Sequence, residues 1–280
     1  MMEVEETLKH ALQLGEEQRF DEMAQMLAEA LQDDPDEPYI LGWLAVAERE
    51  LGNDGAAYEY FKRCIAAEPL DPQLLALAGS GLAAFDDPDA ETTLRAAALM
   101  GPELAITRLQ YGAYLAREGM FGEALEQLDA AAQIEPDDPV VHGELGIAHA
   151  LKGDLESAAK AMERALALAE DDSWTRVLHG LVLHELKRTE EAAEELVRAA
   201  IDRPQDAEAQ VLGALAAAAA GWDDAAQDAL ARAEFAEEGA DPELLTEAED
   251  RIAMGSDAAA AFLRETAGPS ILHDRLTHPL

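Results

Sequence analysis

The sequence predicts an all-α chain of antiparallel helical hairpins in tandem, and three observations carry that prediction. Small residues recur at Ala11, Ala45, Gly79, Gly112, Gly146, Gly180 and Ala214, always 34 residues apart except for one spacing of 33, which marks repetition of one supersecondary unit. The broad apolar set makes up 49% of the 280 residues but aromatics only 5%, a composition for close-packed helices, and no strand signal is present. Glycine and proline fall between the apolar stretches, where they punctuate helices.

Three further registers keep the same phase: Met23, Ala57, Ala90, Ala124, Ala158, Ala192, Ala226; Leu27, Phe61, Leu94, Leu128, Met162, Leu196, Leu230; and Ala30, Cys64, Ala97, Ala131, Ala165, Ala199, Ala233. Within each unit the apolar spacing is helical. A turn carrying Gly52, Gly119, Gly153 or Gly221 separates the two helices, since a helix C-terminus favours glycine. Units join at Pro35, Pro69, Pro102, Pro136 and Pro204. Proline lacks the amide donor that would continue the preceding helix, and the acids around it, as in DDPDEP and EPDDP, suit the positive end of the next one. The small slots lie where the helices of a hairpin cross closely, with Leu or Phe filling the adjacent gap. Cys64 occupies such a slot and reads as a small packed residue, because no cluster of Lys, Arg and His nearby in sequence marks it as a reactive thiol.

The ends differ. Thr7 and His10 put polar side chains at slots that are apolar inside the array, and residues 241–267 form a degenerate helical pair around Gly255, as terminal repeats need a wet outer face. Past Gly268-Pro269 runs a tail, SILHDRLTHPL, that belongs to no repeat. The organisation expected is seven repeats over 4–240, a degenerate eighth repeat or cap over 241–267, and a tail over 268–280.

The motif resembles the tetratricopeptide repeat, most clearly in Leu109-Gln110-Tyr111-Gly112 with Phe121, Ala124, Leu128, Ala131 and Pro136, and in Leu41, Leu44, Ala45, Ala57, Phe61 and Pro69. The resemblance implies a right-handed superhelical α-solenoid in which the first helix of each hairpin lines a concave groove that binds other proteins. Glu170 and Glu238 stand where the terminal proline is expected and His179 where leucine is usual, so helix boundaries are open at those points.

With 59 acidic and 20 basic residues, a net charge of −39 argues against nucleic acid and anionic membranes, both of which need clustered Lys and Arg. The longest apolar stretch, Val211 to Trp222, falls short of the ~20 residues of a membrane helix. The start, MMEVEETLKH, has no apolar core of a leader, so a cytoplasmic address is expected. Cys64 is the single cysteine, which removes an intrachain disulfide and multi-thiolate metal sites. His142 and His149 are seven apart and His179 and His184 five apart, neither being the i, i+4 pairing of a helical zinc site. Runs such as Asp33, Asp34, Asp36 and Glu37, or Glu135, Asp137 and Asp138, lack the spacing of a calcium loop. No nucleophile with a base and no phosphate-cradling loop is visible. A non-enzymatic protein without metal or cofactor is expected.

Numbering each unit from its first residue (4, 38, 72, 105, 139, 173, 207), the face of the first helix turned away from its partner is read at slots 2, 5 and 9. It gives Tyr39, Gly42, Val46; Gln73, Ala76, Ser80; Ile106, Leu109, Ala113; Val140, Gly143, Ile147; Trp174, Val177, Leu181; and Glu208, Val211, Leu215, with Trp43 and Leu178 one slot further round. A solvated face is expected to be charged, yet this one holds one formal charge in a chain that is 28% charged. The reading is an apolar strip that takes an apolar or amphipathic segment of another protein, flanked by basic residues to suit the acidic rim. The other reading is that neighbouring first helices bury these side chains themselves. Slots 5 and 9 carry no Lys or Asn, and slots 12 and 13 only Arg49 and Arg117, so the resemblance does not extend to the carboxylate clamp that holds acidic chaperone tails. A secretion or assembly chaperone for a hydrophobic client segment, and self-association through groove or tail, are the alternatives. The tail residues Ile271, Leu272, Leu276 and Leu280, with His273, Arg275 and His278, form the least acidic stretch. They are placed to cap the last repeat, to lie in the groove, or to dock on another copy.

Overall fold

The structure, a computed structural model, describes residues 2–236 and 242–277. Helices alternate as first (A) and second (B) members of hairpins: α1 (Met2–Glu16) and α2 (Phe20–Ala30), α3 (Pro38–Glu50) and α4 (Asp54–Ala66), α5 (Pro72–Ala83) and α6 (Asp89–Met100), α7 (Ala105–Arg117) and α8 (Phe121–Ile134), α9 (Pro139–Lys152) and α10 (Leu155–Leu168), α11 (Ser173–Glu185) and α12 (Thr189–Asp202), α13 (Ala207–Ala219) and α14 (Asp223–Ala233). Then come α15 (Pro242–Met254), α16 (Ser256–Phe262), a π-helical turn (Leu263–Ala267) and α17 (Gly268–Thr277). No β-strand occurs among the described residues.

The chain divides into two compact units, residues up to 115 with 126–134, and residues 116–125 with 135–280. In the first, α1 packs on α2, α3 on α4 and α5 on α6, while α2 and α4 each also pack on the A helix that follows. Leu14, Met23, Leu27, Leu41, Leu44, Phe61 and Leu82 form its core. In the second, α9, α11 and α13 pack on α10, α12 and α14, and α10 and α12 pack forward on α11 and α13.

The chain starts its A helices with acids. Glu37, Asp71, Asp138, Asp172 and Asp206 accept hydrogen bonds from the first free amides of α3, α5, α9, α11 and α13, as in Val140 N to Asp138 Oδ1 at 2.8 Å and Ala209 N to Asp206 Oδ1 at 2.9 Å. Pro38, Pro72 and Pro139 follow directly, at the position where a missing N–H costs nothing and φ is already helical. The acids read from sequence as dipole partners are thus direct caps. Where Glu170 replaces proline, α10 still ends at Leu168 and α11 starts at Ser173. Arg176 donates to the Glu170 carbonyl and Arg198 Nη2 binds its carboxylate at 2.7 Å, so the joint is tied by hydrogen bonds instead. Glu238 lies outside the described residues. His179 directs Nδ1 at Glu195 Oε1, 3.5 Å away on α12, beside Arg176 at 2.8 Å from the other oxygen, which explains a polar residue at a leucine slot. Burial pushes the Glu195 carboxyl up, but its contacts with His179 and Arg176 outweigh this and hold it below its usual value.

The close crossings are literal. A Cβ built on Gly146 of α9 meets Met162 Cγ of its hairpin partner α10 at 2.6 Å, and between successive hairpins one on Gly81 of α5 meets the Phe61 ring of α4 at 2.3 Å. Cys64 is fully buried, its thiol donates to the Pro38 carbonyl at 3.3 Å, and burial, aided by Glu37, pushes it up to about 12. Each hairpin turns at slot 15 through a left-handed residue: Gln18, Gly52, Asp86, Gly119, Gly153, Lys187 and Gly221, with φ between 53° and 85°. Three of these seven are not glycine.

Two consequences are measurable. An L-residue in this conformation costs about 1–2 kcal/mol, partly offset by the entropy glycine loses; Gln18→Gly and Lys187→Gly are each expected to stabilise by about 0.5–1 kcal/mol in urea melts, and Asp86→Gly by less, since Asp tolerates the region better. Gly81→Ala is expected to destabilise by about 1–3 kcal/mol through overpacking. In a Phe61→Leu background the same change is expected to be near neutral; a double-mutant cycle without coupling would refute the contact.

Candidate functional site

The outward face of the A helices separates into three registers. Slot 5 is closed to solvent: a Cβ on Gly42 meets Leu74 Cδ1 of the next A helix, α5, at 2.7 Å, and Ala76, Leu109, Val177 and Val211 are buried. Slot 2 stands open, with Gln73 exposed, Ile106 38% and Val140 58% exposed, and Tyr39, Trp174 and Glu208 half-buried. Slot 9 differs along the chain. Val46 and Ser80 are half-buried and Ala113 is buried in the first unit, whereas Ile147, Leu181 and Leu215 are all buried in the second, as is Leu178.

The cover over the second unit is the chain's own C-terminus. α16 packs on α13, the π-turn also touches α13, and α17 packs on α11 and α9, so residues 256–277 cross the A helices in reverse order. Phe262, Leu263, Ala267, Ile271, Leu272 and Leu276 join Ile147, Val177, Leu178, Leu181, Val211 and Leu215 in one buried cluster. α15 packs more on α13 than on α14, where an eighth A helix would sit on its preceding B helix. The helical rod also crosses residue 268 without a break. Pro269 cannot donate to a carbonyl four residues back, and the π-turn before it reroutes the ladder, Gly268 N–H bonding to Leu263 O; such a one-residue widening lets a helix accommodate proline. A Cβ on Gly268 meets that oxygen at 2.3 Å, so this helix needs glycine here. Leu280 lies outside the described residues, as does His278.

Of the strip read from sequence, Leu109, Ile147, Val177, Leu178, Leu181, Val211 and Leu215 are therefore covered within the chain, and Tyr39, Trp43, Val46, Ile106, Val140 and Trp174 retain surface. Tyr39 also braces two repeats: its hydroxyl donates to Asp71 Oδ2 at 2.7 Å, which with burial pushes the phenol up to about 12. Trp43 and Val46 lie half-buried against the first unit's core. Arg117 is held by both oxygens of Glu144 at 3.1 Å, and Arg49 pairs with Glu50 at 3.3 Å, so the cations at slots 12 and 13 are engaged.

Phe262, Leu263 and Arg264 were not singled out from sequence, and His184 was weighed only as a zinc ligand. The signal was there in apolar residues at 259, 263, 267, 271 and 276, a helical spacing that runs through the Gly-Pro pair otherwise taken as a stop. His184, 1% exposed, meets the Ala260 carbonyl with Nε2 at 3.2 Å while Nδ1 has no partner. Burial pushes this imidazole below its usual value, and the Arg264 charge adds to that despite the Ala260 contact. Glu185 next to it is pushed up by burial, with Arg264 opposing.

His142 Nε2 meets Pro136 O at 2.8 Å and His149 Nδ1 lies 3.5 Å from Asp154, so each helical histidine serves its own turn. Among the described residues no group of three His, Cys, Asp or Glu is placed to hold a metal ion. Two surface depressions, at Pro204, Asp228, Arg232 and Phe235 and at Asp54, Tyr58, Phe85 and Asp87, carry no Ser, Cys or His.

A family model described as tetratricopeptide repeat matches residues 115–178. No curated protein sequence matches the chain. Among solved structures, the Cut9–Hcn1 hetero-tetramer of the APC/C is similar with a TM-score of 0.69 at 18% identity, over 85% of this chain and 48% of that one, so this chain spans about half its length. A tetratricopeptide repeat protein from Parabacteroides merdae gives 0.61 at 13% identity over 91% of this chain and 100% of that one. A thermophilic protein of the same kind from Thermus thermophilus gives 0.53 at 26% identity over 64% and 98%.

The buried His184 yields a pH prediction. Because docking lowers its pKa, the docked segment resists a proton that the released histidine takes up near pH 6.5, so docking is fully favoured above that value and weakens as pH falls through it. Glu185 acts oppositely, taking up a proton more readily when docked, so Glu185→Gln serves as the background. The protection factors of residues 256–277, with the intrinsic pH dependence of amide exchange divided out, are expected to fall between about pH 7.5 and 5.5, and His184→Gln to flatten the response; a flat wild-type protection profile would reject it.

Proposed function

We propose that this chain, of which residues 115–178 match a tetratricopeptide-repeat model and whose fold is that of solved tetratricopeptide-repeat structures, is a non-enzymatic scaffold whose A-helix face binds an apolar or amphipathic segment of another protein. The observation that supports this reading is the helix already lying on α9, α11 and α13: the same face that carries almost no charge accommodates an amphipathic helix by apolar contacts. Helix-in-face recognition of this kind needs a stripe of anchors at helical spacing and little else.

The residues assigned to partner binding are those that keep surface, Tyr39, Trp43, Val46 and Ile106 in the first unit and Val140 and Trp174 in the second. Half-buried aromatics make good anchors because much of their area is already ordered, and burying the remainder adds contact at low entropic cost. The net charge of −39 favours a segment with basic flanks and disfavours nucleic acid. No helix among the described residues is long and apolar enough to cross a membrane, and we assign the scaffold to the cytoplasm.

Affinity capture with wild type and Trp43→Ala/Ile106→Ser tests the reading. Both side chains retain surface, so the melt is expected to stay within a few degrees of wild type while captured proteins are lost at least tenfold. An identical captured set would sink the proposal.

A further inference from the structure

We propose that the A-helix face of α9, α11 and α13 is a receptor for a partner's amphipathic helix, and that residues 256–277 are its resident, displaceable occupant. This rests on the scaffold reading and names the site and the ligand chemistry. Four observations carry it. The segment leaves the rest of the chain through Gly255, whose φ of 111° and ψ of 175° lie in a region close to glycine-only, with nothing within 4 Å of a built Cβ; this exposed joint is the covalent link to α15, on which α16 also packs, with Arg251 over the Phe262 ring at 5.7 Å.

The resident helix fits the face incompletely. His184 Nδ1 and Arg264 Nε are both buried without a hydrogen-bond partner, and buried polar groups left unpaired are costly. A helix that supplies an acceptor at His184 makes contacts the resident lacks.

Charge points the same way. Arg264 is the segment's cation near Glu185, while Asp257, Glu265 and Asp274 outnumber Arg264 and Arg275 in residues 256–277. An incoming helix that keeps a cation at this point and drops the acids is better matched to a chain of net charge −39. Finally, the face cannot stand bare: Val177, Leu178, Leu181, Val211 and Leu215 would form a contiguous apolar patch. Exchange of one helix for another is the mode that keeps it covered. The ligand is therefore a helix with apolar side chains spaced like Phe262, Leu263, Ala267, Ile271 and Leu276, a small residue opposite Leu181, where Gly268 now sits, and a Lys or Arg facing Glu185.

The test uses full-length protein and a labelled synthetic peptide of residues 256–277, so it needs no natural partner and a negative result leaves the scaffold reading standing. Leu272→Asp/Leu276→Asp releases the resident without altering the repeats. A tethered competitor acts at about millimolar effective concentration, so the variant is expected to bind the peptide at least tenfold more tightly than wild type, and an Arg264→Glu peptide to bind it at least tenfold more weakly. Equal peptide affinity for variant and wild type would overturn the proposal. So would loss of amide protection throughout α9 to α14 in the variant, which would make the segment a core element. A concentration-dependent dimer of wild type that exchanges this segment would assign the site to a second copy instead and overturn the partner assignment.

Discussion

Everything in this protein follows from how closely the two helices of each hairpin cross. At Gly146 there is no room for a Cβ against Met162 of α10, and at Gly180 none against Leu196 of α12. That approach fixes which residues are small and which side chain fills the adjoining gap, and it holds the hairpin at one angle, so the next hairpin meets the same surface again. A single steric condition, repeated every 34 residues, thereby sets the period, the Ala-rich composition and the scarcity of aromatics. It also creates the A-helix face, because a helix packed this tightly on one side presents its opposite side as a narrow strip.

The repeat was legible in the sequence because packing of this kind is local and leaves a fixed spacing. Ala57, Phe61 and Cys64 sit where their phase says, and Cys64 is buried. Slot 5 was harder. Gly42 and Val177 look alike to an argument from helical faces, since both lie opposite the hairpin partner, but Gly42 is covered by Leu74 of the neighbouring A helix, while Val177 is buried in the cluster that the C-terminal segment joins. Which part of an apolar strip is consumed by the next repeat depends on the angle between hairpins, and that angle is not written in any one unit. The C-terminal rod was legible only in part. Its apolar spacing is plain, but Gly268-Pro269 reads as a stop unless a π-turn is foreseen, and such turns have no sequence signature of their own. That it reaches back to α11 and α9 is a long-range contact that no local pattern encodes.

Arginine use illustrates how few cations this surface has to spend. Arg63, Arg164 and Arg198 occupy the same slot of three repeats, and each reaches the loop before its own repeat: Arg63 to the Pro35 carbonyl, Arg164 to Asp137 at 2.7 Å and Arg198 to Glu170 at 2.7 Å. As half-exposed pairs they add little stability each. Their effect is to neutralise the acid-rich joints where carboxylates crowd, which lets those joints carry the caps that start the A helices.

Those caps have a consequence for how the molecule responds to acid. Five A helices, α3, α5, α9, α11 and α13, begin on a carboxylate, while among the B helices α2, α4, α12 and α14 have no side-chain cap, α10 starts on Asp154, and Asp87 accepts from the first amide of α6 at 2.8 Å. Burial pushes the carboxyls of Asp71 before α5 and Asp87 before α6 up, but hydrogen bonds outweigh it and hold them below their usual value, and hydrogen bonds from Ser157 hold that of Asp154 before α10 below its own. Such caps stabilise fully above the ordinary carboxylate range and are lost as pH falls below it. Acid therefore reaches both layers of the array, the start of an A helix and the starts of two B helices alike.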